Sequence, residues 1–207
     1  HFAIFIKERI PSVVGFSVGK NFRFGKGRIG DASFLQHTGG KMGIRVEIVD
    51  SKSTEGSVVS SSLIREKLRA GDIVKVNNML GRSYRIHGAV SSGKKMGRQI
   101  GFPTLNVEWN PEAAPRFGVY AGHVKHSSEG IVPAVANYGI RPTVENNASV
   151  PKLEIHILNE FNEEKWSYNS EVEMSLEYFI RSEKKFDSLD ELKNQIEIDR
   201  SIASGLL

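Results

Sequence analysis

The residues best equipped for chemistry lie at 88–106, in GAVSSGKKMGRQIGFPTLN. Gly93, Gly97 and Gly101 recur every fourth residue. Glycine lets backbone approach a ligand closely and allows positive φ, and successive free N–H groups can form an anion-binding nest. Lys94, Lys95 and Arg98 add positive charge beside that nest. Thr104 and Asn106 stand two residues apart, so on a strand their oxygens share one side. A hard cation such as magnesium takes oxygen ligands and keeps waters and substrate phosphates as the rest. The stretch therefore reads as a nucleotide-phosphate and metal site. It is not the G-x-x-x-x-G-K-[ST] loop, and a glycine-rich hairpin with solvated charges is the other reading of the same residues.

The elements that must position this loop are mostly strands. Alternation at 84–90, 118–124, 131–137 and 152–158, broken by turn residues, predicts an all-β unit. Leu153, Ile155 and Ile157 fall on one face of their strand, Glu154 and His156 on the other. Val172, Met174, Leu176, Tyr178 and Ile180 are expected to line one face of a later strand. Ser188 and Glu191 form an S-x-x-E capping box that opens a helix. Its buried stripe is read as Leu189, Leu192, Ile196 and Ala203. Several antiparallel strands with one covering helix suit a closed or nearly closed barrel, which removes exposed edges.

The first 81 residues read differently. Residues 13–19 look like a buried strand running into a turn, and 44–49 alternate as a half-buried strand. Between them, 20–28 form a basic, glycine-rich loop holding Phe22 and Phe24. Such aromatics can stack bases or can simply be buried. Ser60, Ser61 and Ser62 precede a helix, where serine caps free N–H groups and a helix N-terminus attracts phosphate. Gly71 is expected to stop that helix, and Asp72 to cap a short second one with Val74 and Leu80 on its buried side.

Composition sets outer bounds. The 207 residues are enough for one large or two small domains. A formal charge of +4 suits phosphorylated ligands. The absence of cysteine excludes disulfides and thiolate metal sites and suits a reducing cytoplasm. No apolar run approaches spanning length. The chain begins at His1 rather than methionine, which reads as a fragment or processed form. His123 and His126, three apart on a strand, point to opposite faces and so argue against zinc. Trp166 reads as packing, and His156 as structural.

The motif GRxxGFPTxN at 97–106 resembles the riboflavin kinase signature, with Leu105 where alanine is usual. Three further segments extend the match: 137–143 is similar to N-I-G-x-R-P-T, 153–156 to [VM]-E-x-H, and 180–186 to L-R-x-E-x-K-F. The usual L-Y-G turn is replaced by 166–169, Trp-Ser-Tyr-Asn. Upstream, 19–25 is similar to the G-x-D-F-R-F-G segment of FMN adenylyltransferase, with Asn21 for aspartate, and 60–65 to its I-S-S-T-x-I-R motif, with Ser62 for threonine. Together these resemble the bacterial bifunctional riboflavin kinase/FMN adenylyltransferase family over nearly the whole chain. The nucleotidyltransferase motif with its H-x-G-H step is absent, so this chain is not expected to adenylylate FMN, although a longer parent would.

The resemblance implies a fold and a site. Residues 1–81 would be the C-terminal part of an α/β, Rossmann-like nucleotidyltransferase module. Residues 82–207 would be a mainly antiparallel six-stranded Greek-key barrel with a C-terminal helix. The reaction would transfer the γ-phosphoryl of ATP to the riboflavin 5′-hydroxyl, giving FMN and ADP. Glu154 would be the catalytic base. Gly93, Lys94, Arg98, Gly101 and Thr104 would meet ATP, and Thr104 and Asn106 would hold Mg2+. Asn137, Arg141 and Arg181 would flank the flavin. Asn21, Phe22, Arg23, Ser61, Ser62 and Arg65 would be the adenylyltransferase remnant's nucleotide or FMN contacts. Partners would be small molecules, with no membrane, nucleic acid unexpected and a homo-oligomer open. A β-barrel nucleic-acid module, using the basic loops 20–28 and 93–98, is the alternative; its binding would fall steeply with salt.

Overall fold

The computed structural model describes residues 2–207 except 94, 95, 128, 141–150, 160–165, 167 and 169. The chain divides into two compact units, His1–Val59 and Ser60–Leu207.

In the first unit, helix α1 (Phe2–Arg9) precedes strand β1 (Gly15–Gly19), short strand β2 (Arg23–Phe24), β3 (Gly30–Asp31), helix α2 (Ala32–Gly40) and strand β4 (Arg45–Val49). A small hairpin of β5 (Ser53–Thr54) and β6 (Ser57–Val58) closes the unit. β1 and β4 pair in parallel. Residues 13–19 are not the buried strand expected: β1 alternates between exposed and half-buried, and Val14 is 78% exposed. Phe16, Val18 and Val46 set one face of the two-stranded sheet on a packed layer. That layer is built around Ala3, Leu35 and Val46, joined by Phe2, Phe16, Phe22 and Phe24.

The second unit opens with helices α3 (Ser61–Ala70) and α4 (Ile73–Leu80). Ser60 caps α3 by accepting the Leu63 N–H, and Gly71, at φ 83°, ends it in the left-handed conformation glycine favours. Asp72 stands at the start of α4 without making a side-chain cap; its carboxylate faces Lys75 instead. The buried side of α4 is Ile73 and Val76, with Leu80 packed partly against them, whereas Val74 is 47% exposed. Leu80 thus lies on the buried side as expected and Val74 does not, because the apolar face begins one residue earlier, at Ile73.

Six strands follow: β7 (Tyr84–Ser91), β8 (Leu105–Val107), β9 (Gly118–His126), β10 (Gly130–Ile140), β11 (Pro151–Ile157) and β12 (Glu171–Ser182). They close into a barrel in the order β10-β11-β8-β7-β12-β9, every pair antiparallel. β9, β10 and β11 run consecutively and β12 returns beside β9, which is the Greek-key order. The interior is filled by Ile86, Tyr120, Val124, Tyr138, Leu153, Ile155, Met174 and Leu176, all essentially inaccessible. Trp166 is buried in the same core, as packing rather than a free ring. His126 is buried while His123 is partly exposed, so the two do face opposite ways.

β12 does not keep one face throughout. A register shift falls between Leu176 and Tyr178, leaving Glu177 as an extra residue, and a second falls between Phe179 and Arg181. Such bulges reverse the inside-outside alternation. Val172, Met174 and Leu176 therefore face the interior, but Tyr178 and Ile180 pack outside with Val119, Ala121 and Val135, and Phe179 turns to the core.

Helix α6 (Leu189–Leu206) covers that outer patch through Ala203. Ser188 caps it by accepting the Glu191 N–H. The Glu191 carboxylate reaches back to the Asp187 N–H, one residue before the capping serine. Leu189 is 58% exposed and does not belong to the buried stripe. The stripe is Leu192, Ile196, Asp199 and Ala203, and Asp199 is 3% exposed. A carboxylate is buried there because Arg181 grips it: Nε lies 2.9 and 3.0 Å from its two oxygens and Nη2 2.7 Å from one of them. Gln195 donates a further bond of 3.0 Å.

Removing one partner of a largely buried ion pair leaves the other uncompensated. Asp199→Ala is therefore expected to lower unfolding free energy by about 3 kcal/mol, the low end of the usual range because Arg181 keeps some access to water. Urea unfolding of the two proteins measures this; a loss below about 1 kcal/mol, the size of an exposed pair, would contradict the clamp.

Candidate functional site

The barrel's hydrogen-bond register assembles the site. Arg181 pairs with Val119, Val119 with Asn137, Asn137 with Glu154, Glu154 with Asn106, and Asn106 with Ser91. One rung across six strands thus carries Arg181, Asn137, Glu154 and Asn106. Directly opposed residues sit roughly 5 Å apart. Leu153 and Ile155, flanking Glu154, are buried in the interior, so the pleat places Glu154 outside.

Outside this rung, α6 and residues 97–104 wall a cavity of 620 Å³. Thr104, Asn137, Glu154, His156 and Arg181 line its polar side. Val119, Val135, Leu189, Leu192 and Ile196 give it an apolar wall. Leu189 is thus a wall residue, which explains its absence from the core. A cavity of this size suits a small organic ligand.

The glycine-rich loop is built for close approach. A short helix, α5 (Met96–Gln99), ends in a Schellman turn: the Phe102 N–H bonds the Gly97 carbonyl at 2.7 Å, and the Gly101 N–H bonds the Arg98 carbonyl at 3.2 Å. Gly101 supplies the positive φ, 90°, that this turn requires. A Cβ at Gly97 would sit 2.3 Å from the Phe102 carbonyl oxygen and 3.3 Å from Thr104 Oγ1. A Cβ at Gly93 would sit 2.1 Å from Asn106 Nδ2. Gly93 and Gly97 thus let the loop lie directly on the two oxygen-bearing residues, Asn106 and Thr104.

His156 Nδ1 is 2.8 Å from the Pro103 carbonyl, and the imidazole meets the Phe102 ring edge-on at 5.8 Å. Burial pushes the His156 pKa below the usual imidazole value, against the raising effect of that hydrogen bond, and Arg200 pushes in the same direction as burial. The ring is accordingly neutral at pH 7. Arg200, from α6, places its Cζ 5.7 Å from the same Phe102 centroid.

Not every residue singled out from the sequence meets the cavity. Thr104, Asn137, Glu154 and Arg181 do; Gly93, Arg98, Gly101 and Asn106 stand outside its lining. Arg181 is committed to Asp199. Lys94 and Arg141 lie outside the described residues. In the first unit, Phe22 stacks on Phe24 at 5.6 Å and belongs to the aromatic cluster. Arg23 is exposed and bonds the Phe22 carbonyl, and Asn21 is exposed. Ser61, Ser62 and Arg65 are exposed on α3 in the second unit. Among the described residues no three His, Cys, Asp or Glu side chains gather as a metal-binding group. No helix among them is long and apolar enough to cross a membrane. Reading the sequence missed Asp199 and Arg200. The available signal was a carboxylate at helical spacing from Leu192, Ile196 and Ala203.

A carboxylate, a hydroxyl and an amide thus line one cavity on the outside of a barrel, facing an apolar wall. Residues 80–207 match the family described as riboflavin kinase, and residues 3–63 the one described as FAD synthetase. The chain belongs to the riboflavin kinase family. A bifunctional riboflavin kinase/FMN adenylyltransferase of Haemophilus influenzae is 39% identical over 98% of this chain and 65% of its own length. One of the same name from Pseudomonas fluorescens is 37% identical over 91% of this chain and 59% of its own. The chain thus spans about three-fifths of the length of these relatives. A crystal structure of a macrolide-efflux protein from Streptococcus pneumoniae superposes with a TM-score of 0.76 at 27% identity, covering 90% of this chain and 58% of that one.

Gly97→Ala forces a Cβ against backbone rather than against a side chain that can swing away. A misplacement of about 1 Å can cost on the order of 10²-fold in rate. Gly97→Ala is expected to lose turnover of that order with the barrel's circular dichroism unchanged; wild-type turnover would show that the loop's close approach is dispensable.

Proposed function

We propose that residues 82–207 transfer the γ-phosphoryl of ATP to the riboflavin 5′-hydroxyl, forming FMN and ADP. The observation that carries this reading is the single rung that sets Glu154 between Asn137 and Asn106 on the wall of a 620 Å³ cavity. The apolar wall suits a flat heterocycle, and the polar rung suits a hydroxylated chain. Glu154 accepts the proton of the 5′-hydroxyl as its oxygen bonds to the γ-phosphorus, and the bond from that phosphorus to the ADP oxygen breaks. The carboxylate therefore ends protonated and the phosphoryl group moves intact.

The oxygens of Thr104 and Asn106 fit a hard divalent cation, and magnesium usually completes its shell with waters and substrate phosphates. These two residues would hold it, and when bound it would neutralise charge on the transferring group. Gly93, Lys94, Arg98 and Gly101 are assigned to the ATP side, Asn137, Arg141 and Arg181 to the flavin side. Arg181 acts there chiefly by fixing α6.

A longer protein carrying this chain would also adenylylate FMN to FAD. The match at 3–63 and the relatives' bifunctional names support this, and residues 1–81 would be the C-terminal part of that module. The H-x-G-H step occurs nowhere in the 207 residues. A cytoplasmic setting agrees with the cysteine-free sequence. Phe22 and Phe24 are packed among other aromatics, so the basic loop at 20–28 offers no free stacking platform of the kind nucleic-acid binding uses.

Glu154→Gln tests the mechanism. Removing a general base typically costs on the order of 10²–10⁴ in rate, and that loss in kcat is expected with riboflavin binding retained. Near-normal turnover would exclude the role. Thr104→Ala is expected to raise the magnesium concentration needed for half-maximal rate; an unchanged magnesium titration would remove Thr104 from the metal site.

A further inference from the structure

We propose that His156 is a positioning residue, whose Nδ1–H bond to the Pro103 carbonyl holds Thr104 in place beside Glu154. The inference rests on the kinase reading above for its catalytic meaning, and on geometry for the tie itself.

The β8–β11 ladder pairs Val107 with Leu153, Asn106 with Glu154 and Leu105 with Ile155, and there it stops. The next position in this antiparallel register would set Thr104 opposite His156. No ladder pair holds Thr104, although the proposed chemistry needs its hydroxyl fixed. The His156 side chain takes over where the backbone ends, spanning 2.8 Å to the carbonyl immediately before Thr104. A carbonyl only accepts, so Nδ1 must carry the proton. Glu154 and His156 share one face of β11, so the same short run of strand carries the carboxylate and the tie.

The far side of the ring makes no competing bond. Nε2 is buried with no hydrogen-bond partner among the described residues. The imidazole is therefore held by one polar bond and by its edge-on contact with Phe102. Its depressed pKa, caused first by burial, agrees with a ring that stays neutral, and the Pro103 carbonyl selects the tautomer. Phe102 is only 6% exposed, so the loop it anchors has a fixed base.

Because Nε2 makes no bond, asparagine loses no hydrogen bond: its amide nitrogen can stand where Nδ1 stood, and only the ring contact with Phe102 goes. Phenylalanine keeps the ring and deletes the tie. In the proposal, His156→Phe lowers kcat on the order of 10²-fold with KM for riboflavin changed far less, while His156→Asn stays within about threefold of wild type. Hydrogen exchange at 102–106, measured without substrate, speeds up in His156→Phe and not in His156→Asn. Two-bond nitrogen–proton NMR of the wild type shows the proton on Nδ1.

Wild-type exchange and turnover in His156→Phe would overturn the proposal, as would an asparagine variant as impaired as the phenylalanine one. Should the wild-type chain itself form no FMN, the kinase reading fails and the catalytic part of the proposal with it. The exchange measurement still decides whether His156 fixes the loop.

Discussion

A slip of one residue between β10 and β11 would turn Glu154 into the barrel and Ile155 out to the cavity, because side chains alternate along a strand. The whole polar wall of the cavity depends on that register. Closure enforces it: each of the six strands is paired on both sides, so no strand can shift without breaking two ladders. The interior adds its own penalty, since Leu153, Ile155, Tyr138 and Met174 are fully buried and a slip would exchange them for charged or exposed neighbours. Under the proposed function, the backbone ladder supplies the rigid frame that phosphoryl transfer needs, since that reaction relies on positioning and charge placement.

Where the ladder ends, individual side chains extend it. Two bulges in β12 reverse its alternation twice and bring Arg181 outward, where Asp199 meets it and fixes α6 over the barrel. His156 does the same for the loop at 102–104. Gly93 and Gly97 contribute by absence, since any Cβ there would press on the Asn106 amide or the Phe102 carbonyl. The cavity is therefore bounded on each side by a different device: ladder, ion pair, side-chain tie and close backbone approach.

Much of this was legible in the sequence. Alternation at 152–158 placed Leu153, Ile155 and Ile157 inward and Glu154 and His156 outward, and the structure agrees because that strand has no bulge. The same reasoning failed on 172–180, where bulges cannot be seen in a pattern of apolar residues that suits both the interior and the α6 interface. On α4, Leu80 was placed correctly and Val74 was not, because eight residues carry too few turns to separate Val74 from Ile73 beside the capping position. Asp199 was missed because a buried carboxylate shows its purpose only once Arg181, 18 positions earlier in sequence, stands against it. Gly101 was assigned to the nucleotide, yet its visible task is the Schellman turn that frees Phe102 to anchor the loop.

Under the proposed function, the barrel and its rung make a riboflavin kinase. The most direct measurement is the product formed when the purified 207-residue chain is incubated with riboflavin, ATP and magnesium and the flavins are separated by chromatography. The account predicts FMN with stoichiometric ADP and no FAD from this chain. A folded chain that yields no FMN would contradict the assignment of the cavity, whatever the register places beside Glu154.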